Sequence, residues 1–235
     1  MSRLTFNVPK IKICGITNLD DARSALECGA DSLGFVFYEK SKRFVSPEKA
    51  KRIIFELRRD KKEYCRDFLS VERNVIITGV FVNESIETVT ALMNNTDIDI
   101  IQLSGTESLE YIEELGIGKN AVLKAVHIEK EKDIEKISYY ENAGVNVLVD
   151  TFAGRGIYGG TGSSFNLNLL KNINPKNLII AGGIGPDNIK DIIQAIRPYG
   201  IDLSSKIEGI PGKKDYDKMV LFFRNLKGAA YEIAR

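Results

Sequence analysis

Cys14, Asp150 and Arg43 are the residues whose chemistry would matter most if the fold brought them together. Cys14 closes the apolar run Lys10–Cys14 and is followed by Gly15. A lone thiol in such a run is either a small core residue or, at an accessible strand end, a base that works once its surroundings lower an ordinary pKa of about 8.5. Asp150 closes a second apolar run, Val147-Leu148-Val149. Its carboxylate can cap the following loop, or apolar neighbours can raise its pKa and make it a general acid. Arg43, between Lys42 and Phe44, is either a solvated charge or a planar fork for a substrate carboxylate. The chain has one histidine, His127. That leaves almost nothing from which to build a multi-histidine metal site or a Ser-His triad, and we expect no structural metal.

A second chemical signal is the placing of glycines. Gly154-Arg155-Gly156 and Gly159-Gly160-Thr161-Gly162 follow the run that ends at Asp150, and Gly182-Gly183-Ile184-Gly185 follows Asn177–Ala181. Ser204-Ser205-Lys206 follows Ile201–Ser204. Glycine lets backbone approach a ligand and adopt positive φ, so that successive N–H groups can surround an anion. Clusters after three successive strands suit a phosphate site. No G-x-G-x-x-G follows the first strand, so a dinucleotide fingerprint is absent.

The elements that must position these residues alternate. Eight candidate strands, Lys10–Cys14, Ser32–Phe37, Val75–Val82, Ile98–Leu103, Ala121–Val126, Val145–Asp150, Asn177–Ala181 and Ile201–Ser204, are short and rich in Val and Ile. We read them as parallel strands covered on both faces. Helices are expected from Thr17 or Asn18 to Cys28, Pro47 to about Arg59, Ser85–Asn94, Ser108–Leu115, Lys130–Asn142, Pro186–Ile196 and Asp215–Leu226, with a shorter one at Asn166–Leu170. Eight βα units give an α/β fold, a single-domain (β/α)8 TIM barrel, in which catalytic groups sit at the C-terminal strand ends. An open doubly wound sheet normally uses fewer units. No domain boundary is visible in the 235 residues. The polar stretch 58–74 reads as an insertion or an extended helix, with Cys65 incidental to it. Cys28, before Gly29, reads as a residue of the core.

Composition narrows the class. Lys plus Arg is 33 and Asp plus Glu is 32, so the chain is no general polyanion binder and no nucleic-acid partner is expected. No apolar stretch approaches the roughly 20 residues that span a bilayer. Three cysteines without a C-x-x-C pair argue against a disulfide framework, and residues 1–7 hold no signal-peptide core. The expectation is a cytoplasmic protein with a small-molecule ligand, as a monomer or homodimer.

Several segments carry a family resemblance. Lys12-Ile13-Cys14-Gly15-Ile16-Thr17, Ser41-Lys42-Arg43-Phe44-Val45-Ser46-Pro47 and Gly79-Val80-Phe81-Val82-Asn83 resemble motifs of the phosphoribosylanthranilate isomerases. So, in order, do Asp150-Thr151, Gly159-Gly160-Thr161-Gly162, Ala181-Gly182-Gly183-Ile184, Asp202-Leu203-Ser204-Ser205-Lys206-Ile207-Glu208 and Pro211-Gly212-Lys213-Lys214-Asp215. The resemblance implies an Amadori rearrangement without a cofactor in tryptophan biosynthesis, with Cys14 as base and Asp150 as acid. It implies Arg43 on the anthranilate carboxylate, and the phosphate on Gly182, Gly183, Ser204 and Ser205 with Gly160 and Gly162 near it. The chain departs from the family pattern in reading Gln102-Leu103-Ser104-Gly105 where Gln-Leu-His-Gly is usual, and in having no Trp after Gly162, where Leu167 stands. The alternatives are another phosphate-binding barrel of histidine or tryptophan synthesis, or a non-catalytic sugar-phosphate binder.

Overall fold

The computed structural model describes residues 8–59, 75–151, 170 and 177–234. Eight parallel strands close on themselves in sequence order: β1 (Lys10–Cys14), β2 (Ser32–Val36), β3 (Ile76–Phe81), β4 (Ile100–Leu103), β5 (Val122–Ile128), β6 (Asn146–Thr151), β7 (Ile179–Ala181) and β8 (Gly200–Leu203). Closure is made by β1 on β8, with Ile11 opposite Ile201 and Lys12 opposite Asp202. The expected barrel is present.

The strands alternate more strictly than a run of apolar letters suggests. Ile11, Ile13, Leu33, Phe35, Ile77, Phe81, Ile101, Leu103, Val147, Val149, Ile180, Ile201 and Leu203 belong to one large buried shell with the helix residues. The positions between them turn inward. They form a small apolar plug of Leu123, Ala125, Leu148, Ile179 and Ala181 and a polar layer that includes Lys12, Ser32, Thr78, Gln102 and Asp202, all buried. Period-two geometry separates the two sets: odd positions of β1 hold the barrel to its helices, and even positions fill its interior.

The helices form where capping chemistry starts them. In α1 (Leu19–Cys28) the Asn18 side chain accepts from the Asp21 N–H, and Gly29 closes the helix at φ 114°. Pro47 opens α2 (Pro47–Arg59) at the position where a missing N–H costs nothing. Ser85 caps α3 (Ile86–Thr96) and Ser108 caps α4 (Leu109–Glu114). The expected helix 130–142 is split. A 3-10 turn at Glu131–Ile134 precedes α5 (Glu135–Asn142), because the Asp133 carboxylate accepts from the N–H groups of Glu129 and Lys130. After β7 comes α6 (Ile189–Ala195). The last helix, α7 (Tyr216–Ala234), runs past Leu226, since Ala229 and Ala230 continue the buried stripe of Met219, Phe222, Phe223 and Leu226.

Two further points concern the ends of units. Arg58 falls in α2, as the helix expected to about Arg59 requires, its guanidinium donating to the Val75 carbonyl and the carboxylates of Asp97 and Asp99. Between β8 and α7 lies an antiparallel hairpin of β9 (Glu208–Ile210) and β10 (Lys213–Lys214) that the pattern did not suggest. The rest of the stretch 58–74, with Cys65, and the helix expected at Asn166–Leu170, apart from Leu170, lie outside the described residues. No described helix is long and apolar enough to cross a membrane.

Candidate active site

One pocket opens at the C-terminal ends of the strands. It is lined by Cys14 from β1, Asp150 from β6, Arg43 from the loop after β2, Gly182 and Gly183 after β7, and Ser204 and Ser205 after β8. It is a concave pocket open to solvent, the shape of a small-molecule site. The expected site residues that fall among the described ones are thus all on its wall. Gly160 and Gly162 lie outside the described residues.

Cys14 sits on the inner face of β1, packed with Val36, Val80 and Tyr38. Gly34 on β2 makes room for it: a Cβ there would stand 2.9 Å from Cys14 Sγ and 3.1 Å from Lys12 Nζ. Lys12 is therefore beside the thiol and, at 2.8 Å, donates to Asp202. This buried pair is the floor of the pocket. On its far side, at the N-terminal end of the barrel, Lys12 lines a second cavity of about 200 Å³.

Burial pushes the Cys14 thiol up from its ordinary value, against the pull of the Lys12 and Lys214 ammonium groups, while Asp202 adds to the rise. This direction is opposite to the lowered pKa that a resting base would need. Burial works against the charge on Lys12, but Asp202 and Cys14 more than offset it and hold the ammonium protonated. Asp202 is pushed up by burial, partly offset by Lys12. Its Oδ1, like Gln102 Oε1, is buried with no hydrogen-bond partner among the described residues, and both side chains line the pocket. Sequence reading missed Lys12 and Asp202 as site residues. The signal was in the alternation, since Lys12 lies between Ile11 and Ile13, and Asp202 between Ile201 and Leu203.

Arg43 is engaged more fully than a lone fork. Its Nε and Nη2 donate to Glu208 Oε1 and Oε2 at 2.8 and 2.6 Å. Glu208 also accepts from Lys214 Nζ at 2.9 Å, and Lys214 in turn donates to the Cys14 carbonyl. The hairpin β9–β10 exists to bring Glu208 and Lys214 to this position. Burial raises the Glu208 pKa, but Arg43 and Lys214 outweigh it and leave the carboxyl below its ordinary value. Gly15, at φ 81°, allows the arginine stem to cross β1, for a Cβ there would lie 2.5 Å from Arg43 Cδ.

Across the pocket, His127 Nδ1 lies 3.9 Å from Asp150 Oδ2, and His127 Nε2 lies 3.2 Å from the Ser104 carbonyl. The loop that carries Ser104 is fixed from beneath by Lys124, which donates to the carbonyls of Leu103 and Gly105 and to Glu107 Oε2. Gly182 and Gly183 take consecutive positive φ values of 91° and 64°, a turn that side chains resist. Ser204 and Ser205 line the same pocket.

A family model described as N-(5'phosphoribosyl)anthranilate (PRA) isomerase matches residues 11–225. The chain belongs to this isomerase family. The N-(5'-phosphoribosyl)anthranilate isomerase of Thermotoga petrophila is 39% identical over 221 residues, 93% of this chain and 98% of that protein. The crystal structure of the phosphoribosyl anthranilate isomerase from Thermotoga maritima superposes with a TM-score of 0.79 at 37% identity, covering 94% of this chain and 99% of that one. A related isomerase solved with reduced 1-(o-carboxyphenylamino)-1-deoxyribulose 5-phosphate gives a TM-score of 0.73 at 36% identity, over 94% and 99% of the two chains.

Proposed function

We propose that this pocket rearranges N-(5-phosphoribosyl)anthranilate to 1-(o-carboxyphenylamino)-1-deoxyribulose 5-phosphate, with Asp150 as general acid and Cys14 as general base. Family membership makes the chain an isomerase of tryptophan biosynthesis that turns an aldose into a ketose. The observation that carries the assignment of roles is the meeting of Cys14 and Asp150, from strands β1 and β6, on one pocket wall.

Asp150 protonates the furanose ring oxygen, and the C1–O bond breaks to give the protonated Schiff base. That cation acidifies the C2 hydrogen. It also favours ionisation of the neighbouring Cys14, against the cost of burial: the thiol proton leaves to solvent through the open pocket before the thiolate acts, and is recovered from solvent when product departs. Cys14 takes the C2 proton and leaves an enolamine. The ketone forms as the C2 hydroxyl returns its proton to Asp150 and C1 is protonated by the thiol, so no proton is gained or lost overall. Lys12, held charged by Asp202, steadies the thiolate while it exists.

The wall chemistry fits the substrate part by part. Val36, Tyr38, Val80 and Val82 offer an apolar face for the anthranilate ring. Arg43, anchored through one edge by Glu208, presents the rest of its fork to the ring carboxylate. Asp202 Oδ1 and Gln102 Oε1, without a partner among the described residues, suit the ribose hydroxyls, which donate. Gly182, Gly183, Ser204 and Ser205, with Gly160 and Gly162, take the phosphate. We assign the protein to the cytoplasm, as a monomer or homodimer. The test is to mix purified protein with freshly made phosphoribosylanthranilate and follow the loss of anthranilate fluorescence. Rapid loss is expected, and none from a folded sample would overturn the reading.

A further inference from the structure

The interior of the barrel is not filled to its lower end. Inward side chains of an eight-stranded barrel stack in layers of four, drawn from alternate strands, and make a packed core. The strand register places Lys12, Thr78, Leu123 and Ile179 in one layer, and Ser32, Ile100, Asn146 and Gly200 in the layer beneath it. The lower layer is short of atoms. Gly200 has no side chain, Ser32 is small, and the Asn146 amide donates to the Asn120 carbonyl at 3.1 Å. In the layer above, Lys12 reaches up to Asp202 instead of across. What they leave unfilled is the cavity of about 200 Å³ at the N-terminal end of the barrel, and all eight residues line it.

The wall has a defined chemistry. Ile100, Leu123 and Ile179 supply apolar surface. Ser32 Oγ and Thr78 Oγ1, both buried, stand 3.1 Å apart. Two hydroxyls carry two hydrogens, and the bond between them uses one. Among the described residues neither hydroxyl has a second partner, so one O–H is left for an acceptor inside the cavity. No unbalanced charge among the described residues invites an ion, because Lys12 is matched by Asp202 at 2.8 Å and Lys10 by Asp31 at 3.5 Å. Water is a poor occupant, since a buried water takes two to four polar partners and the apolar side chains offer none. Apolar cavities of about 150 Å³ hold a benzene ring, so this volume takes one ring with a small substituent.

We propose that this cavity is a second ligand site, which takes a neutral molecule of one-ring size whose acceptor atom receives the spare hydroxyl hydrogen of the Ser32–Thr78 pair. The open end, with Lys10, Asn177 and Tyr199 on its rim, is the way in. The bonded pair Lys12 and Asp202 is the partition from the catalytic pocket, for Lys12 lines the cavity and Asp202 the pocket. The inference does not depend on the roles given to Cys14 and Asp150.

The probes are acetophenone and α-methylstyrene, which share a shape and differ in a carbonyl oxygen against a methylene. Each is titrated into the full chain and followed by methyl NMR spectra of labelled protein. Both should bind saturably, acetophenone about five- to tenfold more tightly, as one hydrogen bond predicts. The methyl signals of Ile100 and Ile179 should move, while those of Val36 and Val80 at the catalytic pocket stay. Ser32→Ala with Thr78→Val removes both hydroxyls and should bring the two affinities together. Gly200→Val puts a side chain into the lower layer, its Cβ meeting Ile179 Cγ1 at 3.2 Å, and should weaken both probes at least tenfold. Ile100→Phe fills the same space from β4 if that variant fails to fold. No saturable binding, equal affinities in the wild type, shifts at Val36 and Val80 instead, or binding that survives the filling variant overturns the inference.

Discussion

At the residue scale, the group proposed as base is a thiol whose ionisation burial opposes. Burial raises Cys14, and Lys12 is the group that most opposes the rise. Alkylation of Cys14 in the free protein, mapped by peptide mass to separate it from Cys28 and Cys65, should be slow at pH 7 and speed up only above the ordinary thiol range. Lys12→Met removes the opposing charge and should push that rise to still higher pH. Fast alkylation at pH 7 would show a resting thiolate. Arg43 is the second residue whose role can be isolated. Arg43→Ala should raise KM with a smaller effect on kcat, because Glu208 keeps Lys214, and an unchanged KM would remove the guanidinium from the binding site. Gly15→Ala puts a Cβ 2.5 Å from the arginine stem at positive φ and should mimic Arg43→Ala in KM.

At the scale of elements, the strand ends were legible and the hairpin was not. Cys14, Asp150, Gly182 and Ser204 could be placed because apolar runs stop at them, and a parallel barrel gathers such stops at one end. The hairpin β9–β10 has no alternating apolar face, only Glu208-Gly209-Ile210 and Lys213-Lys214. What holds it is Glu208 between Arg43 and Lys214, a partnership over long sequence distance that no local pattern shows. The Glu208 side chain is 4% exposed, so its loss leaves the buried Lys214 and the half-buried Arg43 without their counter-ion. Glu208→Gln should cost about 3 kcal/mol. The pH dependence has a definite sign. The folded-state pKa of Glu208 is lowered, so its stabilisation is present above the unfolded carboxyl value and is lost as pH falls through the folded one. Thermal melts should therefore show wild type and Glu208→Gln converging at acid pH and parting near neutrality. A constant gap across that range would deny the ion pairs their role.

At the scale of the whole molecule, one strand pattern serves two ends. The outward residues fix the barrel to its helices, and the inward ones supply the plug, the Lys12–Asp202 floor and the reactive wall. Barrel topology was readable from the eight βα units, but the polar floor was hidden by treating each strand as apolar on both faces. Stability and chemistry should separate accordingly. Phe222 of α7 is fully buried in the outer shell and far from the pocket wall. Phe222→Ala should cost about 3–5 kcal/mol and lower Tm, while KM stays at the wild-type value at temperatures where the variant is folded. A changed KM there would mean that the outer shell tunes the site.

The most direct test of the central claim is single-turnover kinetics with enzyme in excess over phosphoribosylanthranilate, followed by anthranilate fluorescence, for wild type, Cys14→Ala and Asp150→Asn. Each variant should slow the decay by roughly 10²-fold or more, as removal of a general acid or base does. A near-normal decay in either one would contradict the role given to that residue.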